Sequence, residues 1–267
     1  MSSILISELK EAGFKKIADI LYNFAGIYIN ESKKELVRTR IAKRMGEINI
    51  NSFEEYLKLV DEDNKERYMM IDILTTNKTD FFREMEHFKF MRENIFPNFV
   101  GKKLTIWSAG CSYGKEPYSI AVEINEYFKG EDNKRILATD ISKRMIDIAK
   151  MGIYEEDDAK EMGEYFNKYF DLWDKNKSLY KVKDVLKNYV SFAVLNLMDG
   201  WPMKGPFDVI FCRNVMIYFD RVTQEKLINR FYDIISEGGY LFVGYSESLN
   251  SLNHKYKYIK PAVYRKE

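Results

Sequence analysis

The stretch that most restricts how this chain can fold is Leu104–Ala121, which reads L-T-I-W-S-A-G-C-S-Y-G-K-E-P-Y-S-I-A. A short apolar run with Leu104, Ile106 and Trp107 enters a loop holding Gly110 and Gly114, and Pro117 opens an apolar-periodic segment. Strand, glycine turn and helix in that order form a nucleotide-type cofactor site at the edge of a parallel sheet. Without a Cβ, the backbone at the two glycines can turn sharply and approach a ligand. Pro117 suits the first helical turn, where its missing N–H leaves no bond unmade. Phosphate ligands fit this loop poorly. A phosphate-cradling loop needs G-x-x-x-x-G-K-[ST]; here the glycines are one residue closer and Glu116 follows Lys115. A dinucleotide fingerprint needs G-x-G-x-x-G, and its first pair is missing. Glu116 also puts a carboxylate at the helix N-terminus, where a pyrophosphate would sit. An adenosine cofactor without phosphate fits better. S-adenosylmethionine is such a molecule, with a sulfonium and an ammonium that tolerate an acidic neighbour.

From residue 104 onward strands and helices alternate, which predicts an α/β domain built on a doubly wound parallel sheet. The predicted strands are Leu104–Ala109, Arg135–Thr139, Val190–Leu195, Phe207–Cys212 and Gly239–Tyr245, with a returning edge pair near Tyr256–Ile259 and Ala262–Arg265. Predicted helices fill Pro117–Phe128, Ser142–Lys150 and Arg221–Ser236. Between Tyr154 and Asn188 the alternation breaks, and Tyr169–Trp173, a polar turn and Leu179–Lys183 read as a small antiparallel insertion. It is either a stabilising excursion or a docking edge for an extended peptide.

In such a sheet the ligand lies beyond the carboxyl ends of the strands. Asp140 ends the second strand and is placed to hold two ribose hydroxyls, or to cap the helix that follows. Asn196-Leu197-Met198-Asp199 follows the third strand, where an adenine edge can be read. Arg213-Asn214 follows the fourth, with Tyr218 a turn later; an Arg-Asn pair ending a buried apolar strand is costly unless something charged or polar waits there. Gly244-Tyr245-Ser246-Glu247-Ser248 lines the same mouth.

The first 75 residues show helical periodicity and no strand signal, so a small helical bundle is expected over 1–75. A linker segment and helix follow over 76–100, and the sheet domain spans 101–267, its insertion at about 154–188. Ile17, Ile20, Leu21 and Phe24 form one stripe that Gly26 ends; Ser32 with Glu35, and Ser52 with Glu55, have capping-box spacing. Asp61-Glu62-Asp63 is expected as a turn before a helix over Tyr68–Leu74. The second helix carries Lys33, Arg40 and Arg44 in one row beside its apolar stripe of Val37, Ile41, Met45 and Ile48. That row is either snorkelling cover for the core edge or a track for an acidic partner. Thr75–Glu84, T-T-N-K-T-D-F-F-R-E, is odd for a plain linker, and its bland reading is a helix start capped by Thr79 or Asp80. His87 falls on the helix expected from Glu84 to Phe96, where a lone histidine is expected to be surface or packing.

Net charge is +1 from 42 basic and 41 acidic residues, so no global field draws the chain to nucleic acid or membrane. No run approaches the roughly 20 apolar residues of a membrane span, and the start M-S-S-I-L-I-S-E-L-K is unlike a signal peptide. Cys111 and Cys212, the 2 cysteines, are too few for a disulfide framework or a zinc cluster. A soluble cytoplasmic monomer without metal, nucleic-acid partner or membrane insertion is expected.

Taken in order, these segments resemble the CheR-type chemoreceptor glutamate O-methyltransferases over essentially the whole chain. The markers are G-I-Y-I with the R-x-R-I-x-x-R that follows, T-T-N-K-T-D-F-F-R-E, W-S-A-G-C-S-Y-G-K-E-P-Y-S-I-A, A-T-D-I-S, F-D-V-I-F-C-R-N-V-M-I-Y-F and G-G-Y-L-F-V-G-Y-S-E-S-L. The resemblance implies a Rossmann-like class I methyltransferase sheet behind an all-helical N-terminal domain. It further implies methyl transfer from S-adenosylmethionine to glutamates of chemoreceptor cytoplasmic helices, with S-adenosylhomocysteine as product. By motif position it implies cofactor contacts from Asn77, Thr79, Arg83, Glu116, Asp140, Asn196, Leu197, Arg213 and Asn214. Lys33, Arg40 and Arg44 would then face the substrate. A glutamate, with a reference pKa of about 4.3, is already ionised near neutrality and needs no general base. The barrier lies in alignment and in exclusion of water, with Arg83 steering the carboxylate and Tyr218 hydrogen-bonding near the reacting centre. Rivals are a methyltransferase for nucleic acid or a small molecule, and a non-catalytic receptor-docking module that binds the cofactor. Against the first, the fourth strand ends in Arg213-Asn214-Val215 and not in the Asn/Asp-Pro-Pro-aromatic signature usual for base amino groups.

Overall fold

The structure, a computed structural model, describes residues 8–267. Residues 1–7, most of the start read for a leader, lie outside the described residues. The chain forms two compact units: the residues up to Thr76 with Tyr218–Asp220, and Asn77–Ile217 with Arg221–Glu267.

The first unit contains α1 (Glu11–Ala25), α2 (Lys34–Glu47), α3 (Phe53–Glu62) and α4 (Asn64–Leu74). Phe14, Ile17 and Leu21 of α1 and Val37, Ile41 and Met45 of α2 are buried, as are Phe53, Tyr56 and Val60 of α3. Gly26, at φ 70°, ends α1 and returns its N–H to Leu21 and Tyr22. Ser52 caps α3, accepting from Glu55 N–H. Ser32 does not cap α2: it sits in a 3₁₀ turn, Glu31–Lys33, its hydroxyl turned to Asn30, and Glu35 pairs with Arg38 instead. The acidic stretch is not a free turn either. Asp61 and Glu62 finish α3, and Asp63 caps α4 by accepting from Lys65 N–H at 2.7 Å, so α4 begins four residues before Tyr68. Ile27 makes an isolated antiparallel bridge to Phe219.

The second unit carries a seven-stranded sheet. Its strands are β1 (Leu104–Ala109), β2 (Lys134–Asp140), β6 (Val190–Val194), β7 (Phe207–Cys212), β8 (Ile235–Val243), β9 (Lys257–Lys260) and β10 (Val263–Arg265); β3 (Ile153–Glu155), β4 (Phe170–Asp174) and β5 (Leu179–Val182) form a separate antiparallel sheet. The large sheet runs β6-β2-β1-β7-β8-β10-β9, parallel from β6 to β8, with β10 antiparallel to β8 and to β9. Strand order reverses at β1, which pairs with β2 on one side and β7 on the other, and ligands bind at such a switch point. Helices α5 (Glu86–Phe90), α6 (Lys115–Phe128), α7 (Lys143–Met151) and α11 (Arg221–Ile234) accompany this sheet. The short α8 (Glu156–Lys160), α9 (Phe166–Tyr169) and α10 (Asp184–Lys187) belong to the insertion.

Three expectations are corrected here. The insertion has a third strand, β3, too short for a period-2 pattern to register. The helix expected from Glu84 begins at Glu86 after turns and is not capped by Thr79 or Asp80; it continues as a π turn, Met91–Ile95, and a 3₁₀ turn, Phe96–Phe99, that holds Pro97. Strand β8 starts earlier and ends earlier than expected, because its register shifts against β7 around the Gly238-Gly239 pair. A Cβ on Gly239 would lie 2.9 Å from Asp208 O, so the strand passes its neighbour there only as glycine.

Candidate cofactor site

The glycine loop closes the end of β1. Gly110 and Gly114 have φ of 84° and 94°, a region that favours glycine. Neighbours demand them as well: a Cβ at Gly110 would lie 2.4 Å from Val215 Cγ2, and at Gly114 2.8 Å from Ala149 Cβ. Asp140 ties the loop to the next strand end. Its Oδ2 accepts from Ser112 N–H at 2.8 Å and its Oδ1 from Ser142 N–H at 2.9 Å, while Ser142 itself caps α7. The carboxylate therefore spans two strand ends and does not serve as the helix cap.

The Asn77–Arg83 segment lies along this loop. Ser112 Oγ donates to Asn77 O at 2.7 Å and Tyr113 OH to Thr79 O at 2.8 Å. Further along, Phe82 N–H donates to Ser119 Oγ at 2.9 Å, and the guanidinium of half-buried Arg83 donates to Lys78 O at 3.3 Å.

Glu116 does not project as a free carboxylate at the start of α6. One oxygen accepts from Ser108 Oγ at 2.6 Å and the other from Arg213 Nε at 2.7 Å. Arg213 NH1 donates to Arg83 O at 2.7 Å and lies 3.1 Å from His87 Nδ1. His87 is wholly buried; burial first, then the charges of Arg213 and Lys260, lower its pKa to about 3. It is thus a neutral acceptor for Arg213, its proton on Nε2. Its 3.5 Å separation from Glu84 is no ion pair. Glu84 accepts from Tyr245 N–H at 3.1 Å through its other oxygen.

Asn214 and Glu247 make a second fixed point beyond β7. Glu247 accepts from the N–H groups of Gly244, Asn214 and Ile217 at 2.6, 2.8 and 3.1 Å. Burial pushes its pKa up, against those backbone donors. Asn196 and Leu197, both buried, follow β6; Asn196 Oδ1 accepts from Met198 N–H at 3.0 Å, and Arg230 donates to Leu197 O and Asp199 O. Phe82, Glu84, Ser112 and Asn214 all adopt positive φ without being glycine, a conformation costing about 1–2 kcal/mol each that the surrounding hydrogen bonds must hold.

The structure thus joins Asn77, Thr79 and Asp140 through the glycine loop, and Arg83, Glu116 and Arg213 through one network. Tyr218 falls in the other unit, where its hydroxyl donates to Thr76 O at 3.2 Å and its carbonyl accepts from Tyr28 N–H. In that same unit Arg44 makes paired bonds to buried Glu66, and Arg40 donates to the carbonyls of Ile73, Leu74 and Thr75. Both arginines therefore hold the bundle together, and of the predicted track Lys33 alone is exposed. Ser108, Ser112 and His87 were not expected at the site; Ser112 had a signal, its place between the glycines. Cys111 and Cys212 are buried free thiols. Among the described residues no helix is long and apolar enough to cross a membrane.

Fold and loop define a Rossmann-like domain for an adenosine cofactor that carries no phosphate. Two family models match the chain: "CheR methyltransferase, all-alpha domain" over residues 12–75 and "CheR methyltransferase, SAM binding domain" over 77–265. The chain is 39% identical over 267 residues to the "Chemotaxis protein methyltransferase" of Borreliella burgdorferi, covering 94% of this chain and 93% of that one. It is 34% identical over 262 residues to the protein of the same description from Escherichia coli, covering 96% and 91%. A solved structure, PKMT2 from Rickettsia typhi in complex with AdoHcy, is more distant, with TM-score 0.35 and 20% identity over 53% of this chain and 20% of that one. The chain belongs to the CheR methyltransferase family, and its larger unit is that family's S-adenosylmethionine-binding domain.

Proposed function

We propose that this protein methylates the side-chain carboxylates of glutamates in the cytoplasmic helices of chemoreceptors, acting in the cytoplasm as a monomer and serving sensory adaptation. The observation that carries the reading is the state of the site's titratable groups. His87 is buried and neutral, and Glu116 is committed to Ser108 and Arg213. Neither is a free base, which suits a nucleophile that arrives already ionised. When bound, S-adenosylmethionine supplies an electrophilic methyl group on a cationic sulfur, leaving S-adenosylhomocysteine.

The residues present fit that group. Asp140 stands where ribose hydroxyls are held in sheets of this kind, and the Glu116–Arg213 pair at the start of α6 offers no anion-binding cation. Asn77, Thr79, Arg83, Glu116, Arg213 and Asn214 would hold the cofactor's amino-acid side, and Asn196 with Leu197 the adenine. Arg83 would also steer the incoming glutamate. Tyr218 would act near the reacting centre, and Lys33 would meet the acidic methylation segment.

Incubation with tritiated S-adenosylmethionine and receptor cytoplasmic fragments tests the reading. Label released as methanol by mild base is expected; label that stays on the receptor in base would refute carboxyl methylation. A receptor fragment with glutamine at the modified positions should take up none.

A further inference from the structure

One carboxylate oxygen of the inserted antiparallel subdomain meets both the cofactor segment and the start of α6. Glu161, just past α8, accepts from Phe81 N–H at 2.9 Å and from Lys115 Nζ at 2.7 Å through the same Oε2. Lys115 stands in the first turn of α6, beside the glycine loop, and its side chain is 1% exposed. Asp158 accepts from the same ammonium at 2.8 Å, and the ammonium lies 5.4 and 5.5 Å from the Phe81 and Tyr113 rings. Burial works against the charge on Lys115, but Asp158 and Glu161 outweigh it and the pKa is raised. From the same insertion, Tyr154 OH donates to Tyr113 O at 2.7 Å.

An ammonium so withdrawn from water needs its counter-charges, and a backbone N–H there needs an acceptor. Removing Glu161 leaves the Phe81 N–H without its acceptor and Lys115 with Asp158 as its one carboxylate partner. Phe81 lies between Thr79 and Arg83, so its N–H sets the path of the chain that presents those side chains.

We propose that Glu161 is a positioning residue of the cofactor site: through it the inserted subdomain fixes Phe81 and Lys115 and so holds Asn77, Thr79 and Arg83 in place for S-adenosylmethionine. The insertion is then part of the cofactor site, whatever else it docks. This inference rests on reading Asn77, Thr79 and Arg83 as cofactor residues.

The test is S-adenosylmethionine affinity by calorimetry, with steady-state kinetics, on the full chain. Glu161→Ala is expected to weaken binding about tenfold and raise KM for the cofactor equally, with kcat at saturation within about twofold. Adding Lys115→Met removes the buried ammonium that has lost one of its two carboxylates and should restore part of the affinity. Leu186→Ala, a core truncation in the insertion, should lower Tm without changing affinity, which separates positioning from plain destabilisation. If Glu161→Ala does not fold, Glu161→Gln, which keeps an acceptor and loses the charge, carries the measurement with a smaller expected loss. A folded Glu161 variant that binds like the parent, while Asn77→Ala binds weakly, overturns the inference alone. Normal binding by Asn77→Ala as well overturns the cofactor reading beneath it.

Discussion

Arg213 Nε donates to Glu116 Oε2 at 2.7 Å, with 2% and 9% of the two side chains exposed. Arg213 directly follows β7 and Glu116 lies in the first turn of α6, so this ion pair joins the two elements that flank the switch point. Breaking a buried pair from one side leaves an uncompensated charge, at about 3–5 kcal/mol. Glu116→Ala should therefore lower stability by about that amount in urea titration. Glu116→Gln, which keeps hydrogen bonding to Ser108 and Arg213, should cost less. Both should weaken S-adenosylmethionine binding, because Arg213 also holds the carbonyl of Arg83.

His87 makes a prediction in pH. Its folded pKa of about 3 lies below its ordinary 6.5, so between these values the unfolded chain binds a proton that the folded chain refuses. Stability then rises with pH across that window, and the contribution is complete above about 6.5. Between pH 8 and pH 5 the parent should lose about 2 kcal/mol more than His87→Gln, read from denaturation curves at both values. Equal losses would mean that His87 is not held neutral.

Gly244 precedes the turn in which Glu247 gathers backbone donors. A Cβ there would lie 2.5 Å from Asn214 Nδ2 and 2.9 Å from Glu247 Oε2. Gly244→Ala should displace the Asn214 amide, raising KM for the cofactor about tenfold with a modest fall in Tm. Cofactor binding equal to the parent's would remove Asn214 from the site.

In the helical unit, stability and substrate recognition can be read apart. Glu66 is buried and accepts from Arg44 at 2.9 and 2.7 Å and from Tyr56 OH at 3.1 Å. Arg44→Ala should cost about 2–3 kcal/mol in thermal or urea denaturation. Lys33 is exposed, so Lys33→Glu should change stability by less than about 0.5 kcal/mol. A fall in receptor methylation by Lys33→Glu at unchanged Tm would support the substrate track, and unchanged methylation would remove Lys33 from it.

Much of the fold was legible because its signals are local. The apolar runs at Leu104–Ala109 and Phe207–Cys212 became β1 and β7 with the predicted bounds, since a short apolar run bounded by polar turns has few other uses. Ser52 caps α3 because an N-cap needs only one hydroxyl and the N–H three residues on. The local signals failed where a competitor lay elsewhere. Ser32 has the same spacing to Glu35, but Arg38 claims Glu35 with paired bonds at 3.0 and 2.9 Å, and the chain enters α2 through a 3₁₀ turn. At β8 the glycine pair lets the chain pass close to Asp208, which no periodicity records.

For the site, the sequence alone determined the glycine loop and the strand ends that carry Asp140, Asn196 and Arg213, because apolar runs and turn chemistry are local; the order of the strands came from the structure. What those groups are occupied with was decided only by the tertiary structure. Glu116 reads as a carboxylate at a helix start, and only the fold shows it as half of a buried pair with Arg213. Arg40 and Arg44 read either as cover for the core edge or as part of a basic track, and the structure shows each bonded within the bundle; Glu161, unremarkable in sequence, meets Phe81 and Lys115 at one oxygen. The physical reason is range. Helix and strand signals act over a few residues, whereas a buried charge is decided by whichever partner the fold brings to it, here from positions far along the chain.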